Sequence, residues 1–162
     1  MTGYEQLGWS PDTIGELDHR RLKAPCVKLR SARRGPAGDT VYCIDLRLRH
    51  PNAGQCLSST ELHSLEHFLL EGFQRLLPGH FIGLGVMGCQ TGFYLTLLNE
   101  GRREAIEGTL EAILRGVLQA SAVPYARVDQ CGNYRNHDLG RAQQIAREVL
   151  AHRATWWDVA WP

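Results

Sequence analysis

Two histidines four residues apart, with a glutamate directly before the second, form the segment of the chain best suited to chemistry. They are His63 and His67, and the glutamate is Glu66. On a helix, residues i and i+4 lie on the same face, so both imidazoles could reach one metal ion while Glu66 takes or gives protons beside it. The H-x-x-E-H order occurs in one class of zinc peptidases. Two ordinary helix histidines and a solvated glutamate are the alternative.

A metal ion on these histidines needs a third protein ligand, for which the cysteines, the other histidines and the carboxylates are candidates by type. Cys131 lies in an irregular, glycine-flanked segment from which a thiolate could reach inwards. Two histidines and a cysteine leave a fourth position for water or substrate, as in catalytic zinc sites. Cys89 lies at a strand break near Gly88 and Gly92, where a thiol beside a cation could carry protons. A buried structural cysteine is the alternative for each.

Sequence patterns predict the elements that must position these residues. Residues 41–49 alternate between apolar and polar with a period of two, which is typical of a strand with one covered face. Arg47 falls on the other face, towards solvent or a site, and an exposed strand arginine is the more common case. Ser58 and Glu61 predict a capping box that starts the helix carrying His63. The remaining predicted elements are strands at 26–31, 81–87 and 93–98, and helices at 102–120 and 138–153.

The order of these elements is strands, helix, strands, helix, helix, without a regular βαβ alternation. It predicts an α+β fold, with a mainly antiparallel sheet and helices packed on one face. A chain of 162 residues suits a single domain spanning residues 1–162. The tail carries Trp156, Trp157 and Trp161, and we expect it to fold back onto the body or to cover a subunit contact.

Composition excludes several classes of function. A net charge of +1 gives no electrostatic reason to expect nucleic-acid binding. No apolar run reaches the ~18 residues of a membrane helix, and the N-terminus lacks the pattern of a secretory signal. The five cysteines are odd in number and irregular in spacing, so they do not form a disulfide framework. We therefore expect a cytoplasmic protein.

Five stretches of the chain resemble the LuxS, or S-ribosylhomocysteine lyase, family, in family order from about residue 14 to residue 150. H-x-x-E-H alone is a weak signal, but MGCQTG and QCG together with it are highly specific. The stretches are LDH and KAP at 17–25; GD, IDLR and PN at 38–52; HSLEH at 63–67; MGCQTGFY at 87–94; and QCGNYR with HDL at 130–139.

The resemblance implies a role for each matching residue. It makes His63, His67 and Cys131 the ligands of one divalent metal per subunit, Fe²⁺ in the most active form and often Zn²⁺ as recovered. It makes Glu66 and Cys89 the two acid–base residues.

The resemblance also implies how the substrate is bound. Arg47 matches an active-site arginine near the catalytic cysteine, and His19 matches a residue that reaches the substrate. Arg75 lies near the position of an arginine that holds the amino-acid end of the substrate. The family is a homodimer with two sites at the interface, each completed by residues of the partner.

The implied reaction is metal-dependent cleavage of S-ribosylhomocysteine, a small thio-sugar, into homocysteine and 4,5-dihydroxy-2,3-pentanedione. The product is the precursor of the quorum-sensing furanone autoinducer-2. Two carbonyl shifts along the ribose turn the sulfur into a β-leaving group, and each shift needs a Lewis acid and a proton transfer.

Three positions depart from the family pattern. Ile14 replaces a serine, Gly83 replaces an aspartate that helps to hold the amino-acid end, and Gln74 lies where the arginine is expected, one residue before Arg75. The same chemistry on a different thio-sugar therefore stays open. A metallopeptidase is disfavoured because it has little need for Cys89, and a non-enzymatic metal-stabilised dimer because both proton-transfer residues remain.

Overall fold

The alternating segment at 41–49 becomes a central strand of a four-stranded antiparallel sheet. This computed structural model describes residues 3–162. The strands lie in the order β1-β2-β4-β3, and three helices complete the α+β fold. The elements are β1 (Cys26–Arg34), β2 (Thr40–Arg47), α1 (Ser59–Leu76), β3 (Phe81–Val86), β4 (Gly92–Leu98), α2 (Arg103–Gln119) and α3 (Leu139–Ala151).

One face of the sheet forms the hydrophobic core together with the helices. Ile44 and Leu46 of β2 belong to the same buried cluster as Leu65 and Phe73 of α1, as the period-two pattern predicts. The opposite face of β2 is not open to solvent at its end, since Arg47 is only 2% exposed. The expectation of an exposed strand arginine is therefore wrong. Its guanidinium is buried because neighbouring polar side chains satisfy it.

Helix α1 begins where the capping box predicts. The Ser58 hydroxyl accepts from the backbone N–H of Glu61, and the Glu61 carboxylate accepts from the backbone N–H of Ser58. The apolar stripe of α1 is buried at Leu62, Leu65, Leu69 and Phe73, whereas Leu76 in the last turn is 39% exposed. The stripe and the cap together fix the rotation of α1, so its second face is free to carry polar groups.

The C-terminal tail folds back onto the body, as expected. Trp156 is fully buried, and its indole N–H donates to the carbonyl of Val149. Trp161 lies against the ammonium group of Lys23, 4.3 Å from the ring centroid, whereas Trp157 is exposed. Between residues 3 and 162, no helix has both the length and the apolar character needed to cross a bilayer.

We expect the contact between α1 and α2 to be intolerant of a methyl group. A Cβ built on the buried Gly72 of α1 would lie 2.4 Å from Ile113 of α2, whereas one on the exposed Gly108 meets nothing within 4 Å. Gly72→Ala should lower the free energy of unfolding by about 1–3 kcal/mol. Gly108→Ala, also within a helix, should raise it by about 0.5–1 kcal/mol. Urea unfolding measures both, and equal stabilisation by the two changes would contradict the packing.

Candidate metal centre and acid–base site

Helix α1 presents His63 and His67 from successive turns, as the spacing of four predicts. The two rings approach edge to face, with centroids 4.6 Å apart. His67 is buried and His63 is partly exposed. Two imidazoles therefore point from one helix into one small volume.

Each of these imidazoles is oriented by a backbone carbonyl. His63 Nδ1 lies 3.0 Å from the carbonyl oxygen of Asn136, and His67 Nδ1 lies 2.6 Å from that of Pro124. A carbonyl oxygen can only accept, so Nδ1 donates in both rings and Nε2 is the nitrogen left to bind a metal. This is the arrangement that metal-bound histidines usually adopt.

Cys131 reaches the same volume from the irregular segment between α2 and α3. Its Sγ lies 3.3 Å from His63 Nε2. A turn holds it there, since its backbone N–H donates to the carbonyl of Arg127 at 2.9 Å and its sulfur accepts from the backbone N–H of Asn133. The structure thus brings together all three residues that the sequence suggested as metal ligands.

A fourth donor, His137, joins this cluster, although residue patterns did not single it out. Its ring stacks on that of His63 with centroids 4.0 Å apart, and its Nε2 lies 3.8 Å from Cys131 Sγ. Burial and then the neighbouring His63 and His67 lower the pKa of His137 to about 4, so this imidazole is neutral at pH 7. The available signal was its place six residues after Cys131, directly before Asp138, which caps α3.

The donor atoms fit a divalent metal ion. One ligand atom from each of the four side chains lies within 4.8 Å of all the others. Neutral imidazole suits zinc and iron, and a cysteine thiolate favours zinc and other thiophilic metals. The imidazoles are not held equally, because His137 Nδ1 has only the Ser64 hydroxyl at 3.4 Å whereas the other two have backbone carbonyls.

The predicted strand break carries Cys89 on a tight turn between β3 and β4. The residue with left-handed backbone angles in this turn is Gln90, at φ 61°, and neither Gly88 nor Gly92 has a positive φ. Gly92 is needed for another reason, since a Cβ there would lie 2.1 Å from the carbonyl oxygen of Leu46. Because Gly92 has no side chain, the backbone of β4 can approach the end of β2 closely.

This close approach sets Cys89 beside Arg47. The guanidinium donates to Cys89 Sγ at 3.7 Å and to Thr91 Oγ1 at 2.6 Å, and the thiol and the Thr91 hydroxyl lie 3.0 Å apart. Partial burial opposes ionisation of the thiol. The hydrogen bonds of Thr91 and the charge of Arg47 outweigh it, so the pKa of Cys89 is lowered. The thiolate, which is the reactive form, therefore forms more readily here than on an unperturbed cysteine.

Glu66 lies on the same side of α1 as the metal donors. Together with His63 it lines an open cavity of about 320 Å³, whose other wall includes Met87, Gly88 and Gln90 of the turn that carries Cys89. The carboxylate, one metal donor and the cysteine turn therefore border one cavity.

Two further predicted residues, His19 and Arg75, lie outside this cavity. His19 and Arg47 line a second cavity of about 200 Å³ on the other face of the sheet, together with the buried Lys28. Within residues 3–162, Arg75 lines neither of these cavities; it pairs with Glu71 at 2.7 Å on the surface of α1.

Comparison with known proteins gives a consistent result. The family model of S-ribosylhomocysteinase (LuxS) matches residues 15–160. The chain is 45% identical over 140 residues to the S-ribosylhomocysteine lyase of Dichelobacter nodosus, covering 86% of this chain and 90% of that protein. It is 41% identical over 143 residues to the S-ribosylhomocysteine lyase of Halobacillus halophilus, covering 88% and 93%. The same identity and length hold for that of Helicobacter pylori strain Shi470, covering 88% and 91%.

Removing a carbonyl-oriented imidazole should remove the metal. We expect His67→Ala to lose most of the metal that copurifies with the parent protein, and His137→Ala to lose less because its ring is held more weakly. His152→Ala, at the exposed end of α3, is the matched control and should keep all of it. Elemental analysis after dialysis measures the content. Equal loss in His67→Ala and His137→Ala would make the two rings equivalent ligands.

Proposed function

The chain belongs to the S-ribosylhomocysteinase (LuxS) family, and from this we propose that it is a metal-dependent carbon–sulfur lyase that cleaves S-ribosylhomocysteine. The products are homocysteine and 4,5-dihydroxy-2,3-pentanedione, the precursor of autoinducer-2. One observation carries the proposal. A cluster of histidine and cysteine metal donors lies on the side of α1 that faces the turn of Cys89, and Arg47 contacts the sulfur of that cysteine.

His63, His67 and Cys131 would hold the metal, with His137 as a weakly anchored fourth donor. When bound, it supplies a Lewis acid for the carbonyl and hydroxyl oxygens of the sugar. Fe²⁺ is the proposed active metal and Zn²⁺ the alternative, since imidazole and thiolate accept both. Catalytic sites keep a position for substrate. Because His137 is held more weakly than the other two imidazoles, we propose that it is the donor that the substrate replaces.

The protein's own acid–base groups move the protons. Each carbonyl shift removes a proton from one sugar carbon and returns one to the adjacent carbon. After two shifts the carbonyl lies at C3, a proton leaves C4 and the sulfur leaves C5 as the homocysteine thiolate. Cys89, with its lowered pKa, and Glu66, which lines the cavity that the Cys89 turn borders, are the groups proposed for these transfers.

Arg47 keeps the cysteine ready for this work. Burial of its guanidinium opposes the charge, but the hydrogen bonds and charge of Asp45 outweigh that cost and raise the pKa of Arg47 further. A permanent positive charge 3.7 Å from Cys89 Sγ stabilises the thiolate between proton transfers.

The amino-acid end of the substrate carries a carboxylate that needs a cation. Arg75 is the candidate cation for its carboxylate and must exchange Glu71 for the substrate. A Cβ added at Gly83 on β3 would meet nothing within 4 Å, so the space beside this residue is open. That openness supports the second candidate, the same chemistry on a different thio-sugar.

We also propose a homodimer in the cytoplasm. A second copy over the helix-free face of the sheet would cover the exposed side chain of Tyr94 and close the cavity that is lined by His19. All five cysteines are free thiols, which supports a reducing compartment.

Thiol release tests the reaction directly. Anaerobically prepared Fe²⁺ protein should release homocysteine from S-ribosylhomocysteine, followed with a chromogenic thiol reagent. Cys89→Ala should reduce turnover at least about 10²-fold while keeping the metal, because only proton transfer is lost. Cys56→Ala removes an exposed thiol away from this turn and should keep full turnover. Absence of thiol release from fully metallated parent protein would sink the proposal.

Two equivalent ion pairs allow a sharp test of Arg75. Arg75–Glu71 and Arg115–Glu111 are both i,i+4 pairs of 2.7 Å on exposed helix surfaces, so removing either arginine costs stability by similar, small amounts. Arg75→Ala should raise KM with little change in kcat, because it removes substrate binding alone. Arg115→Ala should change neither. An unchanged KM in Arg75→Ala would remove Arg75 from the substrate site.

A further inference from the structure

We propose that Thr91 is a positioning residue for Cys89: its hydroxyl, oriented by Arg47, donates a hydrogen bond to the cysteine sulfur, and Asp45 fixes Arg47 for this purpose. The inference rests on the proposed role of Cys89 as a proton carrier for its meaning in turnover. The arrangement of hydrogen-bond donors around the sulfur of Cys89 is argued from geometry alone.

The direction of the bond between Thr91 and Cys89 follows from counting protons. A guanidinium has only donors, so Thr91 Oγ1 accepts from Arg47 at 2.6 Å. The hydroxyl then has one proton to place, and the sulfur of Cys89 at 3.0 Å is its remaining partner. Thr91 is 2% exposed, so a proton pointing elsewhere would be an unsatisfied buried donor. The sulfur must therefore accept, which a thiolate does best.

Asp45 fixes the guanidinium from the other side. Its two carboxylate oxygens accept from Nε and Nη2 of Arg47 at 3.2 Å and 2.7 Å, in a bidentate pair. Both residues are 2% exposed. With Nε and Nη2 engaged, Nη1 is the nitrogen left for Thr91 and Cys89. The plane of the guanidinium, and hence the direction of its free N–H groups, is set by Asp45.

The backbone prevents Thr91 from swinging away. Its carbonyl accepts from the N–H groups of both Leu48 and Arg49, at 2.9 Å and 3.0 Å. Arg47 faces Gly92 in the β2–β4 ladder, where no side chain separates the strands. The pairing of β2 and β4 therefore fixes the backbone of Thr91 relative to Arg47.

The charges around Cys89 come from two elements. Arg47 and Asp45 face it from β2, and His63 and Glu66 of α1 line the cavity that its turn borders. Arg47 and the hydrogen bonds from Thr91 are the groups that lower the pKa of Cys89 against the effect of burial. Removing the Thr91 hydroxyl deletes no charged group, so a test on Thr91 probes its hydrogen bonds with Cys89 and Arg47 and not the loss of a charge.

The experiment compares the pH dependence of alkylation of Cys89 by iodoacetamide in zinc-loaded parent, Thr91→Val and Thr91→Ser proteins, resolved by peptide mass spectrometry. In Thr91→Val, which keeps the shape, the midpoint for Cys89 should move to higher pH. Its alkylation near neutral pH should slow about tenfold, as expected for losing a hydrogen bond to a charged group. Thr91→Ser should restore the parent profile. Exposed Cys56 is the internal reference and should react identically in all three.

An unchanged Cys89 profile in a folded, fully metallated Thr91→Val protein would overturn the inference. Should that variant not fold, Thr91→Ala replaces it and must show the same shift. A Thr91→Ser profile that matches Thr91→Val would also count against the hydroxyl. Because alkylation needs no turnover, a shifted profile in a protein that fails to cleave S-ribosylhomocysteine would sink the proposed function and leave this inference intact.

Discussion

The burial of one positive charge, that of Arg47, constrains the end of the sheet from which the cysteine turn emerges. A guanidinium with 2% exposure is tolerated only when its donors are satisfied and its charge is balanced. Asp45 supplies the balance, and Thr91 and Cys89 take the remaining donor. The two strands must therefore pair closely here, and the ionisable sulfur is held within reach of a permanent cation.

A second constraint ties α1 to the irregular segment that precedes α3. The carbonyls of Pro124 and Asn136 orient His67 and His63, so the segment and the helix define each other's position. This segment has no regular ladder of its own, and a metal ion bound by Cys131 and the α1 histidines would add a further cross-link. Binding of such an ion is then coupled to the stability of the whole segment.

Local periodicity predicted much of the fold, because strands and helices with one buried face have a regular pattern of apolar residues in the sequence. The capping box at Ser58 and the i,i+4 pair His63 and His67 depend only on neighbours in the chain, and they appear as expected. The burial of Arg47 could not be predicted this way, because a period of two assigns a face but does not reveal what covers it. His137 was missed for a related reason, since its neighbours in space are on α1 and no spacing rule links them.

The two parts of the proposed site differ in how strongly the fold restricts them. Substitution of Asp45 leaves the buried charge of Arg47 without its partner, which costs about 3–5 kcal/mol. Gln74 and Arg75 are exposed and Gly83 borders open space, where substitutions usually stay within about 0.5 kcal/mol. The fold therefore restricts the buried partners of Cys89 firmly and the proposed amino-acid end of the substrate site only weakly. The departures from the family pattern at Gln74 and Gly83 lie where the fold restricts side chains least.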